Sequence, residues 1–226
     1  MNNTQIASAL ISILCFIPAI VLHEVAHGWM AHRLGDPTAA SQGRLSLNPI
    51  KHIDPFGTVI LPLMLMLMNA PIFGYAKPVP YNPRYFKNLK QGEVLTGLAG
   101  PCANLLLGFV GAAICWGGMF WYDASAAGIG RQIAYWLFYF GYYFTLINFF
   151  LMFFNLIPIP PLDGSSLIVP FLPDKALPTW YKIQQYSMPI LMILLIVVPY
   201  VAPSIDPISW YMNATAYNLA GLILPS

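Results

Sequence analysis

The chain has 226 residues, of which 58% are hydrophobic, 15% aromatic and only 8% charged, and its mean hydropathy is +0.65. A soluble globular protein carries about 25% charge, so the composition excludes that class and reads as a polytopic membrane protein with no room for a separate soluble regulatory domain. The net charge of +2 comes without a basic tail, so nothing in it points to nucleic acid.

The first predicted element is an apolar helix from Gln5 to Ala31. It lacks the basic start and small-residue cleavage site of a signal peptide and is therefore expected to be retained. Its apolar run ends in His23-Glu24-Val25-Ala26-His27. Two histidines at i and i+4 lie about 40° apart around a helix and about 6 Å apart along it, close enough to bind one metal ion. Glu24 stands beside them as a candidate proton acceptor. Ionisable groups are expensive in a bilayer, so a metal site explains this cluster better than chance does.

After the first helix comes a loop rich in proline, with Pro49, Pro55, Pro62, Pro71, Pro78 and Pro80. Within it the apolar stretch Phe56 to Phe73 is short and interrupted. Of the ten Lys and Arg residues, Arg33, Arg44, Lys51, Lys77, Arg84, Lys87 and Lys90 flank this stretch on its two sides. If it enters and leaves on one side, all seven lie together, Lys175 and Lys182 join them, and only Arg131 is opposite. The positive-inside rule favours that arrangement and places the loops at 32–93 and 158–187 in the cytoplasm. A short strand near Arg44 to Leu47, with an edge open to an extended substrate, is expected in the same region. A plug for the bundle is the alternative.

Further apolar helices follow at Val94 to Tyr122, Ile133 to Ile157, Met188 to Ala202 and, more weakly, Pro207 to Leu224. With this topology three polar motifs fall at one depth: His23 to His27, Gly100-Pro101 with Asn104, and Asn155 leading to Asp163-Gly164. Pro158, Pro160 and Pro161 break the chain before Asp163 and Gly164 lets it turn, so the carboxylate can reach back as a third ligand. Two neutral imidazoles, one carboxylate and ionised Glu24 balance a zinc dication. Asn104 and Asn155 either bridge helices or bind substrate and the oxyanion of a tetrahedral intermediate. His32 and His52 are fallback ligands. Cys15, Cys102 and Cys115 lack metal spacing and read as small apolar residues.

His23-Glu24-x-x-His27, Gly100-Pro101-x-x-Asn104 and Asn155-x-x-Pro158 leading to Leu162-Asp163-Gly164 together resemble the site-2 protease family of intramembrane zinc metalloproteases, and its compact prokaryotic branch in particular. Gly43 to Pro49 and Ala76 to Pro80 are similar to that branch as well. The resemblance implies an all-α membrane protein with a three-helix catalytic core spanning the motifs at 23–164. Additional C-terminal helices would follow at about 188–224, the whole forming one domain over 1–226. It implies one zinc ion per chain on His23, His27 and Asp163, Glu24 as the catalytic base, and a transmembrane segment of another protein as substrate. The site would lie near the cytoplasmic face of a prokaryotic plasma membrane. Relatives with an extra leading helix, or a PDZ or CBS domain, differ from this chain. A metal-binding transporter or channel, or an inactive scaffold, is the alternative reading; the first would spread polar residues along several helices.

Overall fold

A computed structural model describes residues 3–61, 64, 75–201 and 206–225. Its scaffold is four long helices: α1 (Asn3–Arg33), α2 (Leu89–Ala124), α3 (Ile129–Asn155) and α4 (Leu177–Val201). A last helical stretch runs without a break through Pro207–Met212, a π-turn at Asn213–Tyr217 and Asn218–Ile223. Among the described residues, three helices are long and apolar enough to cross a membrane: Leu10–Arg33 within α1, and the whole of α2 and α3. The helix expected at Met188 to Ala202 begins eleven residues earlier, at Leu177, and its predicted last residue lies outside the described residues.

Helix periodicity sorts α1 into two faces. Leu10, Ile13, Leu14 and Ile17 are exposed, a stripe at the i, i+3, i+4, i+7 spacing that suits lipid contact. Cys15 and Ala19 are fully buried against Phe144 of α3, and His23 and His27 continue that buried line at four-residue steps. The histidines therefore point into the bundle because the whole face does.

α2 and α3 pack antiparallel at very short range, and small residues permit it. A Cβ at Gly111 would fall 2.7 Å from Thr145 Oγ1, and one at Gly141 would fall 2.7 Å from Cys115 Cα. The last helical stretch lays Met212, Ala216 and Ala220 into the core formed with Phe149 and Phe154 of α3. α2 starts at Asn88, whose side chain accepts from the Gln91 N–H at 3.1 Å. α3 stops at the proline run, and the chain re-forms as a 3₁₀ helix from Asp163 to Phe171.

The loop after α1 corrects one expectation. Among the described residues there is no β-strand, and Arg44 to Leu47 form no ladder. Arg44 is buried and donates to the carbonyls of Lys51, Lys77 (2.8 Å) and Pro78 (3.1 Å). His52 Nε2 meets Ser46 O at 2.8 Å. Within the 44–47 stretch the Ser46 carbonyl is thus met by a side chain, and Arg44 ties the stretch to the backbone of Lys51, Lys77 and Pro78. Of the 56–73 segment, the described start is helical (Pro55–Ile60), with Asp54 capping the N–H groups of Phe56 and Gly57. Most of the rest lies outside the described residues.

Candidate metal centre

Three ligand atoms meet near the C-terminal end of α1. His23 Nε2 and His27 Nε2 are 3.0 Å apart, and Asp163 Oδ2 lies 3.1 Å from the first and 3.3 Å from the second. Zinc ligands at about 2.0–2.2 Å in a tetrahedron are separated by about 3.4 Å, so the triangle has the size of one face of a zinc site. Among the described residues this is the group of His, Cys, Asp and Glu side chains placed to hold a metal ion.

The hydrogen-bond network settles which atoms carry protons. His27 Nδ1 lies 2.7 Å from the carbonyl oxygen of Thr96, which can only accept, so Nδ1 donates. For His23 the argument starts two helices away. Asn148 Nδ2 donates to Phe144 O at 2.8 Å, which leaves Asn148 Oδ1 to accept from Asn104 Nδ2 at 2.8 Å. Asn104 Oδ1 then faces His23 Nδ1 at 2.5 Å and must accept from it. With both Nδ1 atoms protonated, neutral imidazoles present lone pairs at both Nε2 atoms. Two such lone pairs and a carboxylate oxygen repel one another at 3.0–3.3 Å. Asp163 Oδ2 is enclosed and receives no hydrogen bond. A divalent cation resolves this arrangement, and the two-imidazole, one-carboxylate set suits zinc.

Burial opposes ionisation of the Asp163 carboxyl, and positive charge at the two imidazoles holds it well below the usual carboxylate range; with the imidazoles neutral, a cation at the centre of the triangle supplies that charge. The Asp163 side chain is 20% exposed while those of the histidines are 7% and 10%, so the site opens on the aspartate side.

Glu24 stands off the ligand face, as its place next to His23 on the helix requires. Its Oε2 accepts from the backbone N–H of Val79 at 2.9 Å. Val79 is buried against Gly28, where a Cβ would meet Val79 Cγ1 at 2.6 Å. The Ala76 to Pro80 segment therefore lies directly on α1 beside the cluster.

The remaining candidates divide. Asn104 is fully buried, and both its amide donors are used, on Asn148 and on Ala19 O at 3.4 Å. It joins α2 to His23 and Ala19 of α1 and to Asn148 of α3. Asn155 sits at the end of α3 and donates to Leu151 O of its own helix at 2.9 Å. His32 faces Asp36 O at 3.4 Å and His52 faces Ser46 O, so neither joins the cluster. Sequence reasoning missed Thr96, Asn148, Val79 and the role of Gly100. Asn148 carried a usable signal, a polar residue seven positions before Asn155 in an apolar helix. A Cβ at Gly100 would run into His27 Nε2 and lie 2.6 Å from His23 Cε1, so only glycine lets α2 come this close to the ligands.

The model of peptidase family M50, the site-2 protease family, matches residues 117–198. A Bacillus subtilis (strain 168) protein named "Putative zinc metalloprotease YwhC" is 35% identical over 81% of this chain and 79% of its own length. Two proteins named "Putative zinc metalloprotease Rip2" are more distant. That of Mycolicibacterium smegmatis is 27% identical over 80% of this chain and 64% of its own length, and that of Mycobacterium tuberculosis H37Rv is 24% identical over 92% and 73%. No solved structure matches. The chain belongs to peptidase family M50 and is a membrane protein.

Proposed function

We propose that this M50 family member is an intramembrane zinc endopeptidase that hydrolyses peptide bonds within or near the transmembrane segments of other membrane proteins. The observation that carries the reading is the cluster itself. His23, His27 and Asp163 turn three acceptor atoms toward one point at the end of an apolar helix, with both histidines locked from behind. A transporter path would spread such groups along several helices, whereas here they gather at one end.

A zinc dication held there supplies a Lewis acid that polarises a scissile carbonyl and makes water acidic near neutral pH. Glu24 takes the proton from the attacking water and delivers it to the leaving amine. The Val79 N–H leaves its second carboxylate oxygen free for that task. Asn104 and Thr96 keep the imidazoles in the ligating tautomer throughout. A helical substrate hides its peptide bonds, so it unwinds locally before it is cut, and in this reading Asn155, at the end of α3, binds the freed backbone.

The charge distribution supports a prokaryotic plasma membrane with the site near the cytoplasmic face. The ends of the 56–73 segment support re-entry. The Tyr75 N–H donates to Gly57 O at 3.1 Å and Thr58 Oγ1 donates to Tyr75 O at 2.9 Å, contacts that a segment returning to its starting side would make.

The test is cleavage of a model transmembrane substrate by purified protein in lipid. The Glu24→Gln variant should keep its zinc and its fold and lose cleavage by at least a hundredfold, because the amide keeps the shape and removes the base. Cleavage at the wild-type rate by that variant would overturn the reading.

A further inference from the structure

Glu93 is a second carboxylate of this region, and the proposed reaction does not use it. It lies in the second turn of α2, is 2% exposed, and has no cation against it among the described ion pairs. Its two oxygens are divided between two tyrosines. Tyr81 donates to Oε2 at 3.0 Å and Tyr181 donates to Oε1 at 3.0 Å. Burying a carboxylate among hydroxyls is a costly way to join helices when apolar side chains would do. What the carboxylate holds is therefore informative.

Tyr81 belongs to the 75–82 segment, which has no secondary structure of its own. The segment hangs on point contacts. Arg44 holds the carbonyls of Lys77 and Pro78 on one side. On the other, Asp36 accepts from the Asn82 N–H at 2.6 Å and Glu93 accepts from Tyr81. Between these anchors lies Val79, whose N–H meets Glu24. The Tyr81 ring stacks on Phe86 at 6.1 Å, and the residue is 38% exposed, so its hydroxyl end is the buried anchor of an otherwise accessible side chain. Burial first, and then the neighbouring Glu93 charge, raises the Tyr81 hydroxyl well above its ordinary range, so it stays a donor.

We propose that Glu93 and Tyr81 are positioning residues for the hydrolysis: their hydrogen bond seats the 75–82 segment so that the Val79 N–H fixes the Glu24 carboxylate in its working orientation. The inference rests on the reading of Glu24 as proton acceptor. A glutamate has three rotatable side-chain bonds, and a base that wanders by an ångström loses much of its advantage. Tyr181, on the other oxygen, ties α4 to the same carboxylate.

Tyr81→Phe removes one hydroxyl and leaves the stacked ring. It should speed amide hydrogen exchange in the peptide covering 75–82 and lower kcat about tenfold, with KM within about twofold and zinc content unchanged. Glu93→Leu should do the same, the double variant should be no worse than either single one, and Glu93→Gln, which keeps one acceptor oxygen, should recover part of the loss. Lys90→Ala breaks the Lys90–Asp174 pair (2.9 Å), another contact of the same end of α2, and should leave both readouts at wild type. Unchanged exchange at 75–82, or wild-type kcat in Tyr81→Phe, overturns the proposal. So does an equal effect of Lys90→Ala, which would mean general loosening. If wild-type protein cleaves nothing, the protease reading fails, and the exchange measurements still decide whether the clasp seats the segment.

Discussion

At Asp163 a carboxylate oxygen faces two imidazole nitrogens whose Nδ1 protons point the other way, a geometry that a cation among the three atoms satisfies. Removing that carboxylate leaves two imidazoles, too few for a structural or catalytic zinc site. Asp163→Ala should therefore lose most of the bound zinc, whereas His52→Ala should keep about one ion per chain, because His52 is committed to Ser46 O. Metal analysis of the two purified variants decides the matter, and the reverse pattern would mean a different third ligand. Asn104 matters at this scale too. Its fully buried amide transmits the orientation of Asn148 to the His23 ring, and partners of that kind commonly govern metal affinity by about 10–100-fold.

Among the elements, α2 does the most to assemble the site. It brings the Thr96 carbonyl to His27, Asn104 to His23 and Gly97 beneath Ser166 at the start of the 3₁₀ helix that carries Asp163. All three need α2 to run close against α1 and the 163–171 turn, and Gly100 is where it meets the two histidines. Gly100→Ala inserts a methyl group against His27 and His23, so α2 must back away or the imidazoles must turn. Overpacking of this kind costs about 1–3 kcal/mol, and the displaced ligands should bind zinc at least about tenfold more weakly. Competition with a chelator measures the second effect, and wild-type zinc retention in Gly100→Ala would show that the contact yields without moving the ligands.

The whole molecule is organised around one end of the bundle. α1 runs toward that end, α2 leaves from it and α3 returns to it, and the described residues at 34–54, 75–88 and 156–176 lie at it. This requires that the chain between α1 and α2 begin and finish on one side. Were Phe56 to Phe73 a full span, the start of α2 would be displaced by about 30 Å of hydrocarbon from the histidines. Single cysteines at the exposed Lys51 and Arg84, in a background without Cys15, Cys102 and Cys115, should both react with an impermeant thiol reagent from the cytoplasmic side alone. Labelling from opposite sides would break the proposed topology.

The sequence by itself determined what local periodicity and composition control. The low charge assigns the chain to the membrane. The four-residue spacing places His23 and His27 on one helix face in line with Cys15 and Ala19, and the proline run before Asp163-Gly164 marks where a helix must end and a carboxylate can turn back. Those are properties of neighbours along the chain. Tertiary structure alone decided the rest, because the partners are remote: 81 residues separate His23 from Asn104, 69 separate His27 from Thr96, and 55 separate Glu24 from Val79. No periodicity records that Arg44 collects carbonyls in place of forming a strand, or that Asn104 turns toward His23 and Asn148. Each depends on which buried polar group finds which partner once the helices have packed, and a buried donor or acceptor is bound by that outcome because leaving it unpaired costs about 1–3 kcal/mol.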